Sequence, residues 1–223
     1  MKIVSWNCCN GFIPDKTKAI KFFNADILVI QECKESDFEL EKTNWSSHDY
    51  YCDGKDSDRG IAIFTKKYVI DRNLKYFKEE NRYVIPYNIT GAEKPFILNA
   101  VWTKKPPRDS TYLTPVYNVL EEIHASTNPI IFIGDFNTGS IQGANNAHWY
   151  EDLYDSFARK GFINCASGQE WVPTFFRGNK SWLDDHCFAS RDFQEKIISF
   201  GIGNYDYWRN YSDHCPIIID FNF

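Results

Sequence analysis

The sequence carries no excess of positive charge. It has 25 Lys and Arg against 30 Asp and Glu, for a formal net charge of −5. That excludes a protein that coats nucleic acid or anionic membrane by bulk electrostatics, although a local basic groove remains compatible with it. No apolar run approaches the ~20 residues that span a bilayer. No apolar leader opens the chain either; residues 1–7 read as a strand. CxxC spacing is missing and the seven cysteines are an odd count. Reduced thiols and a cytoplasmic location are therefore expected. Linkers, low-complexity tracts and repeats are absent as well, so residues 1–223 are expected to form a single domain.

What is present is a ring-rich core, with aromatic residues at 17%. Short apolar runs rich in Ile, Val, Phe and Tyr predict strands: KIVSW (2–6), DILVI (26–30), GIAIF (60–64), YVIPYNI (83–89), FILNAVW (96–102), PIIFI (129–133), LDDHCFA (183–189), KIISF (196–200) and CPIIIDF (215–221). Pro86 is expected at an edge or bulge of its strand. Helices are expected over 15–24, with Ala19, Ile20, Phe22 and Phe23 on one stripe, and from an N-cap at Thr114 with Pro115 following. A third is expected over 149–160, ended by Gly161. The sum is an α+β fold. Two mixed sheets packed face to face with helices outside, a four-layer α/β/β/α sandwich, would bury that many apolar strands.

Polar residues collect at the ends of four of these runs. KIVSWN ends on Asn7, DILVIQE on Gln31 and Glu32, and PIIFIGDFN on Asp135 and Asn137. SDHCPIIID does the reverse, placing Ser212, Asp213 and His214 before its apolar run. If the last strand is antiparallel to the others, all four ends meet on one edge. Oxygen donors from Glu, Asp and Asn suit Mg²⁺ or Mn²⁺. A His beside an Asp suits proton transfer or stabilisation of phosphorane charge. Together they serve metal-assisted phosphate-ester hydrolysis.

The ordered set SWN (5–7), QE (31–32), GDFN (134–137) and SDHCP (212–216) resembles the endonuclease/exonuclease/phosphatase superfamily, which has an exonuclease III and DNase-like fold. The start MKIVSWNC and the segment DHCFAS (185–190) are most similar to its compact bacterial members. The resemblance implies that Asn7, Glu32 and Asp213 hold a metal or its water. It implies that Asp135 orients or deprotonates the attacking water and that Asn137 contacts the scissile phosphate. His214 would stabilise the pentacovalent transition state or act as the base. An Asp that fixes the tautomer of His214 is also implied. Asp184 and Asp185 are the candidates, and the alignment of DHCFAS selects Asp185, with His186 in a place often held by Tyr.

The chain departs from the family pattern at two points. Cys9 stands where abasic-site nucleases usually have an acidic or amide residue. After FILNAVW there is neither the Tyr of those enzymes nor the His of pancreatic-type DNases; Trp102, Lys104, Lys105 and Arg108 are the substrate-binding candidates there. Arg59, Arg177, Lys180 and Arg209 are further cations. Trp171, Phe175, Phe176, Tyr207, Trp208 and Tyr211 either stack unpaired bases or pack under loops. His48, His124 and His148 lie outside the motifs. A zinc site is disfavoured, because strand alternation turns Cys33 and Cys215 away from their polar neighbours.

The expected activity is Mg²⁺- or Mn²⁺-dependent phosphodiester hydrolysis of nucleic acid, most simply DNA, by a monomer. The alternatives are a phosphatase or phosphodiesterase acting on a small phosphorylated molecule or phospholipid head group, and a non-catalytic binding or regulatory protein.

Overall fold

The computed structural model describes residues 1–38, 45–54, 58–104, 112–138, 147–168 and 172–222. In chain order its elements are β1 (Lys2–Asn7), α1 (Pro14–Lys21), β2 (Ile27–Cys33), β3 (Ser47–Tyr51), β4 (Gly60–Thr65), β5 (Val69–Arg72), β6 (Val84–Thr90), β7 (Phe96–Trp102) and α2 (Thr114–Ile123). They continue with β8 (Ile130–Asp135), α3 (Ala147–Arg159), β9 (Phe162–Asn164), β10 (Phe175–Arg177), β11 (Lys180–Trp182), β12 (Asp185–Ser190), β13 (Ile197–Ile202), α4 (Tyr205–Trp208) and β14 (Ile217–Phe221).

Two six-stranded sheets have the orders β13-β14-β1-β2-β4-β3 and β5-β6-β7-β8-β12-β9. The pairs β1/β2 and β7/β8 are parallel, and the other pairs in these sheets are antiparallel. In each sheet a parallel pair therefore ends beside the start of an antiparallel neighbour: β14 next to β1, and β12 next to β8.

Alternation explains the layers. Ile3, Val29, Ile63, Leu98, Ile131 and Ile219 fill the space between the sheets. Their strand neighbours Val4, Trp6, Leu28 and Ile30 point outward and are covered by Ala19 and Ile20 of α1. Ile130, Phe132 and Phe188 point outward from the other sheet against Val116, Leu120, Leu153 and Phe157 of α2 and α3. Both faces are buried, so the strands read as unbroken apolar runs. Each such Ile or Leu contributes roughly 1.5–3 kcal/mol of burial free energy. The result is a four-layer sandwich with helices outside.

Several local expectations are corrected. The strands β3, β5, β9, β10 and β11 have no counterpart in the apolar runs. The first two are half-polar edge strands, and the other three have only three residues each. β6 is not an edge strand, but Pro86 sits where β5 stops: its carbonyl accepts from the N–H of Asn73 at 2.8 Å, one residue past the end of β5. The missing N–H thus falls beyond the ladder. The first helix ends at Lys21 rather than near Asn24, which has left-handed φ of 49°. Phe22 consequently leaves the apolar stripe and is 86% exposed, while Phe23 stacks on Trp208 at 5.5 Å. Leu113, not Thr114, holds the N-cap position of α2, fixed by burial rather than by a hydroxyl. No described helix is long and apolar enough to cross a membrane.

Candidate active site

The inward-facing rows run on from the core into polar residues at one end of the sandwich. Along β1 the inward row is Ile3, Ser5, Asn7; along β8 it is Ile131, Ile133, Asp135; along β12 it is Asp185, Cys187, Ala189. Asn7 and Asp135 thus meet across the gap between sheets, and Asn7 Nδ2 donates to Asp135 Oδ2 at 2.9 Å. Glu32 does not belong to an inward row by count. Strict alternation would aim it outward with Leu28 and Ile30. A bulge between Gln31 and Cys33, with Glu32 at φ 60°, turns it back. Its Oε1 then lies 3.2 Å from Asn7 Nδ2.

Asp135 is followed by a tight turn. Its Oδ1 accepts from the N–H of Asn137 at 2.8 Å, and Asn137 is left-handed at φ 47°. Asn137 Nδ2 donates to the Thr103 carbonyl at 2.7 Å, and Thr103 Oγ1 donates to the Phe136 carbonyl at 2.6 Å. Gly134 precedes the turn at φ 145°; a Cβ there would lie 2.0 Å from the Val101 carbonyl oxygen.

His214 enters from the segment just before β14, where it forms an isolated antiparallel bridge with Phe175. Its N–H donates to Ser212 Oγ at 3.0 Å, and Ser212 Oγ donates to the Asn7 carbonyl at 2.8 Å. The imidazole Nδ1 lies 2.8 Å from Asp185 Oδ2, and Nε2 lies 3.9 Å from Asp135 Oδ2. Phe175 packs on the ring at 4.6 Å. Thr174 Oγ1 accepts from the N–H of Asp184 at 3.1 Å and of Asp185 at 3.0 Å, which sets the start of β12. Of the two neighbouring aspartates, Asp185 reaches His214.

The electrostatics follow from burial of many carboxylates around one imidazole. Burial opposes the charge on His214, but the carboxylates of Asp185 and Asp135 override it and raise the imidazole to about 10. Burial raises the Asp135 carboxyl well above the usual range, with Asp185 and Asp184 adding to the rise and His214 opposing it. Asp184 is pushed up to about 7, first by burial and then by Asp185. The positive charge of this cluster belongs on His214, because its Nδ1 is within hydrogen-bond distance of a carboxylate.

Asp135, Asp185 and His214 place possible ligand atoms within 4.8 Å of one another. An ion there would have to break the His214–Asp185 bond. The oxygen donors free of that constraint lie outward: Glu32, the Asn7 amide and the exposed Asp213. This donor set fits a hard divalent cation. Cys9 and Asn10, both left-handed, wrap the same rim. The Cys9 N–H donates to Asn7 Oδ1 at 3.0 Å, and its thiol is raised by burial and then by Asp213. Arg59 forms an ion pair with Glu32 and donates to Asn10 Oδ1 at 2.6 Å. Cys8, Cys33 and Cys215 are buried in the outer apolar layer.

Trp102 is 5% exposed in the inter-sheet core, paired in register with Asp135. Its ring and that of Tyr83 each lie 4.1 Å from the Lys104 ammonium. Lys105, Arg108, Trp171 and the His148 side chain lie outside the described residues. Phe176 stacks on Tyr205 at 3.8 Å and Trp208 is buried, so these rings pack under loops. His48 stacks on Phe64 away from the cluster. The motifs did not single out Thr103, Thr174 or the holding role of Ser212, since each acts through hydrogen bonds to backbone.

The family model described as "Endonuclease/Exonuclease/phosphatase family" matches residues 4–214. Exodeoxyribonuclease III of Haemophilus influenzae is 25% identical over 268 aligned residues, covering 99% of this chain and all of that protein. A 3'-5' exonuclease from Neisseria meningitidis shares the fold with a TM-score of 0.74 at 17% identity, with both chains fully covered. An AP endonuclease from Leishmania major also gives 0.74, at 14% identity, covering all of this chain and 87% of its own. The chain belongs to the endonuclease/exonuclease/phosphatase family.

Proposed function

We propose that this protein is a divalent-metal-dependent phosphodiesterase that hydrolyses nucleic acid, most simply DNA, by in-line attack of water. The observation that carries the reading is the placement of Asp135 between Asn7 at 2.9 Å and His214 Nε2 at 3.9 Å, with Asp185 behind the imidazole. The last distance is longer than a hydrogen bond and suits an oxygen held between the two side chains.

Asp135 takes the proton of the attacking water as the new P–O bond forms; the charge on His214 opposes the effect of burial and favours its ionised form. The bond to the leaving oxygen breaks, and that oxygen is protonated by solvent. Asp185 keeps His214 as an imidazolium, which supports stabilisation of the phosphorane over action as a base. Asn137, at the turn beside Asp135, would contact the scissile phosphate through the amide hydrogen that Thr103 does not take. Glu32, Asn7 and Asp213 would hold Mg²⁺ or Mn²⁺, which when bound neutralises charge on the phosphate. Lys104, held against Trp102 and Tyr83, is assigned to a flanking phosphate, as are Lys105 and Arg108.

The relatives support nucleic acid as the substrate: they are a deoxyribonuclease, an exonuclease and an AP endonuclease. The inter-sheet core draws on strands from both halves of the sequence, which supports reading 1–223 as one domain. The cytoplasmic, monomeric reading stands with the proposal.

The test is an assay on plasmid, single-stranded oligonucleotide, abasic duplex and a phosphomonoester panel, with Mg²⁺, Mn²⁺ or EDTA. Nucleic-acid cleavage that disappears in EDTA and in His214→Ala is expected. Activity confined to monoesters would select a small phosphate ester instead.

A further inference from the structure

His186 is a buried imidazole that the chemistry above does not use. It stands on β12 between Asp185 and Cys187, opposite Gly134 in register, and is 2% exposed. Alternation turns it away from the cleft, so it packs against Phe136 at 5.4 Å and against Tyr154 of α3 at 5.8 Å. Its Nε2 lies 2.9 Å from the Thr138 carbonyl, and its Nδ1 lies 3.3 Å from the Tyr154 hydroxyl. A carbonyl only accepts, so Nε2 carries the hydrogen; Nδ1 then offers a lone pair to the Tyr154 O–H. Burial lowers the imidazole to about 4, against the pull of the Thr138 carbonyl, Asp185 and the Leu183 carbonyl, so the ring is uncharged at neutral pH.

Thr138 closes the turn that begins at Asp135. Phe136 N–H donates to the Asp184 carbonyl at 2.8 Å, and the Phe136 carbonyl accepts from Thr103. Asn137 is bound to Asp135 and Thr103. Past Asn137, among the described residues, the Thr138 carbonyl is tied to His186. Asparagine tolerates the left-handed region as a single turn residue, and the bonds on either side of Asn137 fix where that turn lies. Thr138 is 5% exposed, so its carbonyl has little access to water in place of the ring.

We propose that His186 is a positioning residue: its Nε2–H holds the Thr138 carbonyl, and through it the left-handed turn that presents Asn137 and Asp135 to the substrate. The inference rests on the hydrolase reading for the consequence at Asn137, but not for the state of the ring.

Two measurements test it. Ring ¹⁵N NMR of the wild-type protein should show the Nε2–H tautomer, uncharged, from mildly acidic to alkaline pH. His186→Leu should lower kcat about 10- to 100-fold with KM changed less than about threefold. His186→Gln, whose side-chain amide reaches the same carbonyl, should recover most of that loss. An Nδ1–H tautomer, which leaves Nε2 without a hydrogen for the Thr138 carbonyl, overturns the proposal, and that spectrum decides even if His186→Leu fails to fold. Equal losses in the Leu and Gln variants, or no loss in either, also overturn it. A wild type without turnover on any phosphate ester would refute the hydrolase reading and leave the ring assignment to its spectrum.

Discussion

His214 and Asp185 are joined Nδ1 to Oδ2 at 2.8 Å, deep enough that the side chains are 6% and 1% exposed. The bond fixes which imidazole nitrogen faces Asp135, and the carboxylate keeps the ring charged. Asp185→Asn should preserve the fold yet lower kcat by roughly two to four orders of magnitude, because an amide neither holds the charge nor fixes the tautomer. Steady-state kinetics with circular dichroism as the folding control checks this; a loss under about tenfold would contradict it.

Asp184 should set an opposing trend in stability. Its carboxyl is raised from 3.8 to about 7, first by burial. The folded state therefore binds its proton more tightly than the unfolded chain, and stability falls as pH rises between those values. Asp184→Asn should leave stability unchanged at pH below 3.8 and raise it, by a few kcal/mol at most, above pH 7. Urea unfolding across that range reads the difference.

His186 has the reverse sign. Its imidazole is lowered from 6.5 to about 4, chiefly by burial. The unfolded chain takes the proton first as pH falls, so this contribution is whole above pH 6.5 and is lost on the way down to about 4. The wild type should lose more stability over that window than His186→Gln, measured by the same unfolding experiment.

Gly134→Ala should cost about 3 kcal/mol or more. The backbone is at φ 145° and the added Cβ would fall 2.0 Å from the Val101 carbonyl oxygen. Because Asp135 is the next residue, activity should fall with stability. Chemical denaturation and a DNA-cleavage rate, taken together, check it.

The parts of this site that were legible in the sequence share one property. Asn7, Asp135, Asp185 and His214 each adjoin an apolar strand on the face that alternation assigns to the inter-sheet gap or lie just before it. Hydrophobic pattern fixes both the strand and the direction of its last side chain. Glu32 could be named by its place after an apolar run, but its aim could not, since a bulge reverses it. The parts played by Thr103, Thr174 and Ser212 could not be read, because their hydrogen bonds to backbone depend on which loops lie side by side. The bond of the His186 ring to Thr138 could not be read, because it joins positions 48 residues apart. Strands β3 and β5 escaped notice because an edge strand needs no continuous apolar face.

The account depends on Asp135 and His214 acting on one phosphorus with a divalent ion present. The most direct measurement is cleavage of an end-labelled DNA duplex in Mg²⁺ by wild type, Asp135→Asn and His214→Gln, each repeated in EDTA. Cleavage by the wild type in Mg²⁺, with losses of at least about a thousandfold in both variants and none remaining in EDTA, is the predicted result. Cleavage by either variant at the wild-type rate, or wild-type cleavage that persists in EDTA, would contradict it.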